Sequence, residues 1–273
     1  MRRLLLLLLL AASSVLAQDG VEVRKSRFLL LPAATVERAA AGQYAQLMRA
    51  AAQKDALNAD RKNVERLRGI ARALIPHSAR FNRDAEHWRW EVNLVQSRSL
   101  NAFCMPGGKI AFFSGLITGL QLDDDEIATI MGHEISHALL EHGRARMSEQ
   151  VAKQLGISIA AAFFNLSNVS ASLLSQAADL ALTLPHSRSQ ESDADLAGLE
   201  LAARAGYDPR AALRVWQKME QYAKKAGSGQ PPQFLSTHPS HATRIRDIQA
   251  ALPRVLPIYE AAVSRGGPQT ARP

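Results

Sequence analysis

One short tract dictates most of what this chain can become. At Asp123 the sequence opens a helix cap, completed by Glu126 three residues on. Ile127, Ile130, Met131, Ile135, Ala138 and Leu139 then recur three and four apart. The pattern predicts an amphipathic helix with one apolar stripe turned to a core. Within it stands His133-Glu134-Ile135-Ser136-His137. Residues four apart lie about one helical turn from each other, so both imidazoles leave the same face and can pinch a metal ion. Glu134, next to the first histidine, can work as general base on a water beside that ion without being a ligand.

The rest of the donor set must be nitrogen and oxygen, because the chain has one cysteine, Cys104, which excludes an intramolecular disulfide and a multi-cysteine cluster. With no base motif beside it, that thiol reads as a small buried apolar residue. A catalytic zinc takes three protein ligands and keeps a position open. The metzincin pattern would need Gly at 140 and His at 143, where this chain has Leu140 and Gly143. His142, five residues beyond His137, is expected off the shared face and exposed. A carboxylate on a second helix is the remaining route, and Glu191-Ser192-Asp193-Ala194-Asp195 offers one. Glu191 and Asp195 are a turn apart, so one can bind the metal while the other accepts the spare N–H of a ligand imidazole.

Taken together, Asn101-Ala102-Phe103 with Pro106-Gly107-Gly108, His133 to His137, Glu191 to Asp195, and His238-Pro239 followed by Arg244-Ile245 resemble the zinc metallopeptidases that include HtpX, LoiP and BepA-type envelope proteases and the CAAX prenyl proteases. The resemblance covers about half the chain. It implies one zinc ion per chain, with Glu191 as third ligand beside His133 and His137, Asp195 behind a ligand, and Glu134 as catalytic base. It implies a mainly α (α+β), gluzincin-like metallopeptidase domain, helical with a small β-sheet whose edge strand flanks the zinc helix. It also places His238 near the metal, either donating to the oxyanion of the tetrahedral intermediate or occupying the open metal position at rest. Arg244 either pairs with a site carboxylate or sits on an exposed helix start. His77, His87, His186 and His241 carry no motif and read as surface or packing residues.

Around that centre, residues 1–17 carry Met1-Arg2-Arg3, an unbroken leucine run from Leu4 to Leu10 and small residues up to Ala17, the pattern of a cleavable secretory signal. The expected layout is a signal at 1–17, an N-terminal helical segment at 18–87 with its helical pattern from Thr35 to about Ala73, the metallopeptidase domain at 88–250 and a tail at 251–273. Trp88 to Leu94, Asn101 to Met105 and Lys109 to Phe113 read as strands. Lys109 to Phe113 is the expected sheet edge, onto which an extended peptide could add as another strand. Leu155 to Leu184 is too interrupted by polar residues to span a bilayer and reads as a soluble helical hairpin. Nothing at the C-terminus reads as a helical repeat domain.

The net charge is +8, and removal of Arg2 and Arg3 with the leader leaves +6. The basic residues are scattered without aromatic interleaving. That excludes a nucleic-acid groove and permits peripheral association with an anionic envelope membrane. The expectation is a periplasmic zinc endopeptidase hydrolysing unfolded or misassembled envelope proteins, silenced by acid because ligand imidazoles must be neutral. The alternative is a zinc-stabilised periplasmic chaperone with little or no proteolysis.

Overall fold

The computed structural model describes residues 20–26, 28–155, 176–177, 179, 185–225, 233–239 and 242–266. The expected signal, most of the expected hairpin, His241 and residues 226–232 lie outside them. The chain runs through α1 (Ala33–Ala52), α2 (Arg61–Leu74), two 3₁₀ turns, and strands β1 (Glu91–Val95), β2 (Ala102–Met105) and β3 (Lys109–Phe113). Helices α3 (Ser114–Gly119), α4 (Asp124–Leu139), α5 (His142–Leu155), α6 (Arg188–Arg204), α7 (Ala211–Lys225), α8 (Gln233–Thr237) and α9 (Ala242–Ser264) follow.

The single helical tract expected from Thr35 to Ala73 is two helices. Asp55 and Asn58 take left-handed backbone angles between them, φ 51° and 55°, and Asp60 restarts the helix by accepting the amide of Asn63 at 3.0 Å. At the other end, the tail expected from residue 251 is helical as far as Ser264. Ala251, Val255, Ile258 and Ala262 are buried at helical spacing, while Pro253 and Pro257 are exposed. The apolar stripe thus continues past residue 250 into the core.

The three strands are ordered β1-β3-β2. β3 pairs in parallel with β1, Glu91 opposite Lys109, and antiparallel with β2, Phe103 opposite Ala111. Lys109 to Phe113 is therefore the central strand and not the edge. Ile110, Ala111 and Phe112 are fully buried, which suits a strand covered on both faces. The edge beside the metal helix is β2, whose outer side lines the groove described below.

Helix α4 is buried on nearly every side. From Glu126 to Leu139 each residue except Thr129 is buried, so the stripe expected from the sequence is one part of a helix enclosed by the core. It packs on α6, β2, α2 and α7. The contact with α6 is backbone on backbone, since a Cβ on Gly198 would fall 2.7 Å from the His133 amide nitrogen. No described helix is long and apolar enough to cross a membrane.

Candidate metal centre

The capping box at Asp123 and Glu126 is present, Asp123 accepting the Glu126 amide at 2.8 Å and Glu126 accepting the Asp123 amide at 2.8 Å. Buried Glu126 also meets Lys218 Nζ at 2.6 Å, which ties the start of α4 to α7. Two turns on, His133, Glu134 and His137 emerge, all buried. Helix α6 starts from a second capping box, Ser187 with Gln190, and delivers Glu191 and Asp195. The close crossing of Gly132 and Gly198 brings the two faces together.

Nε2 of His133 and Nε2 of His137 stand 3.0 Å apart. Glu191 approaches both, its Oε1 3.4 Å from His137 Nε2 and its Oε2 3.6 Å from His133 Nε2. His238, on the turn that closes α8, brings Nδ1 to 2.9 Å from Glu191 Oε1 and 3.2 Å from His133 Nε2. One donor atom from each of His133, His137, Glu191 and His238 lies within 4.8 Å of all the others. Two ring nitrogens, a carboxylate oxygen and a further ring nitrogen in a buried cluster form the donor set that suits zinc.

Supporting groups stand behind this cluster. Nδ1 of His133 is 3.0 Å from Asp195 Oδ1, and both Asp195 oxygens accept from Arg244, at 2.6 and 2.7 Å. Arg244 also lies 2.6 Å from Glu191 Oε2 and stacks over Trp216 at 4.4 Å. Of its two expected settings, the structure has the carboxylate pair, with Arg244 2% exposed. Glu134 Oε1 accepts no hydrogen bond and sits 3.4 Å from His238 Nε2.

The electrostatics follow from burial opposed by opposite charge. Burial raises Glu134, as a general base needs. Burial would raise Glu191 and Asp195 too, but His238 and Arg244 outweigh it and hold both below the usual carboxylate range. Burial pulls His133 down, and Asp195, Glu191 and Glu134 more than restore it, so it ends raised. His137, with burial and neighbouring imidazoles acting together, is pushed well down.

Two histidines read from the sequence as peripheral belong to the centre. His142, expected exposed, is 1% exposed, with Nδ1 2.8 Å from His137 Nδ1. Counting helical positions through residue 142 fails because α4 stops at Leu139 and Glu141 takes φ 59°, a turn that brings His142 back toward the pair. His186 lies with its ring 3.7 Å from that of His137 and stacked 5.2 Å from that of His238. Its amide donates to Thr237 O at 3.1 Å. Nothing in the spacing of residues 186 and 238 signals this, since the contact is made by tertiary folding alone.

The cluster opens on a cavity of about 240 Å³ lined by Glu134, His137, His186 and His238, by apolar Ala40, Leu47, Phe103, Met105, Phe113 and Met147, and by polar groups that include Gln43 and Arg146. Cys104, buried as expected, also lines it. The cavity lining thus joins the reactive polar groups to an apolar trough contributed by side chains of α1, β2, β3 and α5.

A model of peptidase family M48 matches residues 60–252. Among curated proteins the chain is similar to the mitochondrial metalloendopeptidase OMA1 of Bos taurus, 32% identical over 199 residues, 69% of this chain and 38% of that one. The mitochondrial metalloendopeptidase OMA1 of Arabidopsis thaliana is 38% identical over 172 residues, 62% and 33% of the two chains. The beta-barrel assembly-enhancing protease of Escherichia coli (strain K12) is 28% identical over 173 residues, 60% and 35%. The chain spans little more than a third of the length of these relatives. The family match begins at the cap of α2 and ends inside α9, so it takes in every residue of the buried donor cluster, and the chain belongs to peptidase family M48.

Proposed function

We propose that this chain is a zinc-dependent endopeptidase, and that the convergence of His133, His137 and Glu191 beside the Glu134 carboxylate, whose Oε1 accepts no hydrogen bond, is the observation that carries the reading. His133, His137 and Glu191 would hold the ion, with His238 beside the position that the attacking water must take. A bound zinc would supply Lewis acidity and bring the pKa of water down toward ~7. Glu134, its carboxyl raised by burial, takes the proton from the attacking water and passes it to the leaving amine. Asp195, held by Arg244, keeps Nδ1 of His133 protonated so that Nε2 faces the ion.

The substrate reading rests on β2 and the trough. β2 pairs only with β3 among the described residues, so its outer backbone is available to an extended chain, and strand addition binds with little regard to sequence. The apolar wall of Leu47, Phe103, Met105, Phe113 and Met147 favours side chains that a folded substrate would hide. Unfolded or misassembled proteins fit both features. The leader pattern at residues 1–17 supports export to the periplasm, and the net charge supports loose association with an anionic membrane face.

Incubation of the zinc-loaded chain and its Glu134→Gln variant with unfolded casein tests the activity. Fragments from the first and none from the second, with equal zinc content, are expected. Suppression of casein aggregation by both, with no fragments from either, would replace the enzyme with a zinc-stabilised chaperone. Fractionation of cells expressing the full chain tests the location, with the mature protein expected in the periplasmic fraction.

A further inference from the structure

The two helix imidazoles of the centre are supported by groups of different kind. His133 turns Nδ1 toward Asp195 at 3.0 Å. An ionised carboxylate only accepts, so His133 must carry its proton there and leave Nε2 bare. His137 turns Nε2 toward His133 and Glu191 and its Nδ1 toward His142 Nδ1 at 2.8 Å. An imidazole can be donor or acceptor, so the direction of this second bond is not dictated by charge. If Nδ1 of His142 donates, the proton of neutral His137 must sit on Nε2, pointing into the donor cluster and closing it to a cation. If Nδ1 of His137 donates, Nε2 is bare and the cluster is open.

We propose that His142 is a positioning residue for the metal centre, accepting the Nδ1–H of His137 on its own bare Nδ1 and so holding His137 in the metal-binding tautomer. The inference rests on the reading that His137 is a metal ligand. The fold builds the contact deliberately: α4 ends at Leu139, Glu141 adopts φ 59°, and His142 begins α5 with its ring buried against the pair. His142 accepts in the place that a carboxylate or backbone carbonyl takes behind many ligand histidines.

Zinc affinity, measured by chelator competition on the full chain and on His142→Gln and His142→Leu, tests this. Glutamine keeps an acceptor oxygen, and leucine offers none. His142→Leu should bind zinc about 10–100-fold more weakly, His142→Gln should stay near the unsubstituted chain, and the metal-free melting temperatures should not account for the difference. Equal loss in both variants would reduce His142 to packing, and no loss in His142→Leu would remove it from the centre altogether. Nitrogen-15 shifts of the histidines in the zinc-loaded unsubstituted chain give a second reading that needs no substitution. Nε2 of His142 should carry the proton, and a protonated Nδ1 there would overturn the proposal. A chain that binds no zinc at all would instead refute the metal-centre reading on which it stands.

Discussion

Arg244 grips both oxygens of Asp195, at 2.6 and 2.7 Å, from the start of a helix 49 residues further along the chain. With the guanidinium 2% exposed and the carboxylate also buried, neither charge has water to fall back on. Arg244→Ala would leave Asp195 uncompensated, which costs about 3–5 kcal/mol in comparable buried pairs. A large drop in the melting temperature of the metal-free chain is expected, with weaker zinc binding because His133 loses its oriented acceptor. Arg244→Lys keeps the charge without the two-pronged geometry and should fall between the two. Melting curves and zinc titration of the three proteins check this, and an unchanged melting point for Arg244→Ala would contradict it.

Close packing of α4 on α6 sets the distance between the histidines and the carboxylates, and Gly198 permits it. A methyl group at that position would lie 2.7 Å from the His133 amide nitrogen and 2.9 Å from the carbonyl carbon of Gly132, both backbone atoms that cannot swing aside. Gly198→Ala is expected to destabilise by about 1–3 kcal/mol through overpacking and to lower zinc affinity as the helices separate. Gly42, exposed in α1 with nothing within 4 Å of its would-be Cβ, is the control: Gly42→Ala should stabilise by about 0.5–1 kcal/mol. Denaturant melts of both variants check the pair.

Helical period, a local property, places His133 with His137 and Glu191 with Asp195 on shared faces, while the choice of Glu191 over Asp195 as ligand and the place of His238 beside them come from the family resemblance alone. Which strand forms the sheet edge was not legible. Lys109 to Phe113 and Ala102 to Met105 both read as strands, and the parallel pairing of β1 with β3, a contact across a connection, decides between them. Helical spacing does not place His142, because α4 ends at Leu139 and the backbone turns at Glu141. The burial of Arg244 and the stacking of His186 arise from chain segments dozens of residues apart, and no spacing announces either.

His238 stands among the donors, nearer to Glu191 and His133 than to Glu134. This favours the role of occupying the position that water needs over that of steadying an oxyanion. His238→Ala should then bind zinc more weakly and cleave a short unfolded peptide faster at saturating metal, because the open position is available from the start. Initial rates at matched zinc loading decide the matter. A fall of about 10²-fold would assign His238 to transition-state stabilisation instead.

Four histidines whose protonation the fold disfavours give the metal-free chain a pH dependence of definite sign. Burial lowers His137 and His186 well below their ordinary value, His142 to about 3, and half-buried His77 below its own ordinary value. Below the unfolded value of about 6.5 the unfolded chain takes up protons that the folded chain refuses, so stability falls with pH by about 1.4 kcal/mol per unit for each such site. For His142 this continues down to about pH 3. Two groups act the other way. His133, raised on balance despite its burial, contributes stability that is present below about pH 6.5 and lost as pH rises through its folded value, and burial-raised Glu134 also gains on acidification. Asp195 and Glu191, both held down, contribute stability present above about pH 4 and lost as pH falls through their folded values. Four lowered histidines against one raised histidine leave a net loss between about pH 7 and about pH 5. Urea melts of the metal-free chain across that interval should show a midpoint that falls steadily with pH, with a shallower slope in His142→Gln, whereas a flat or rising midpoint would contradict the buried neutral state of these rings.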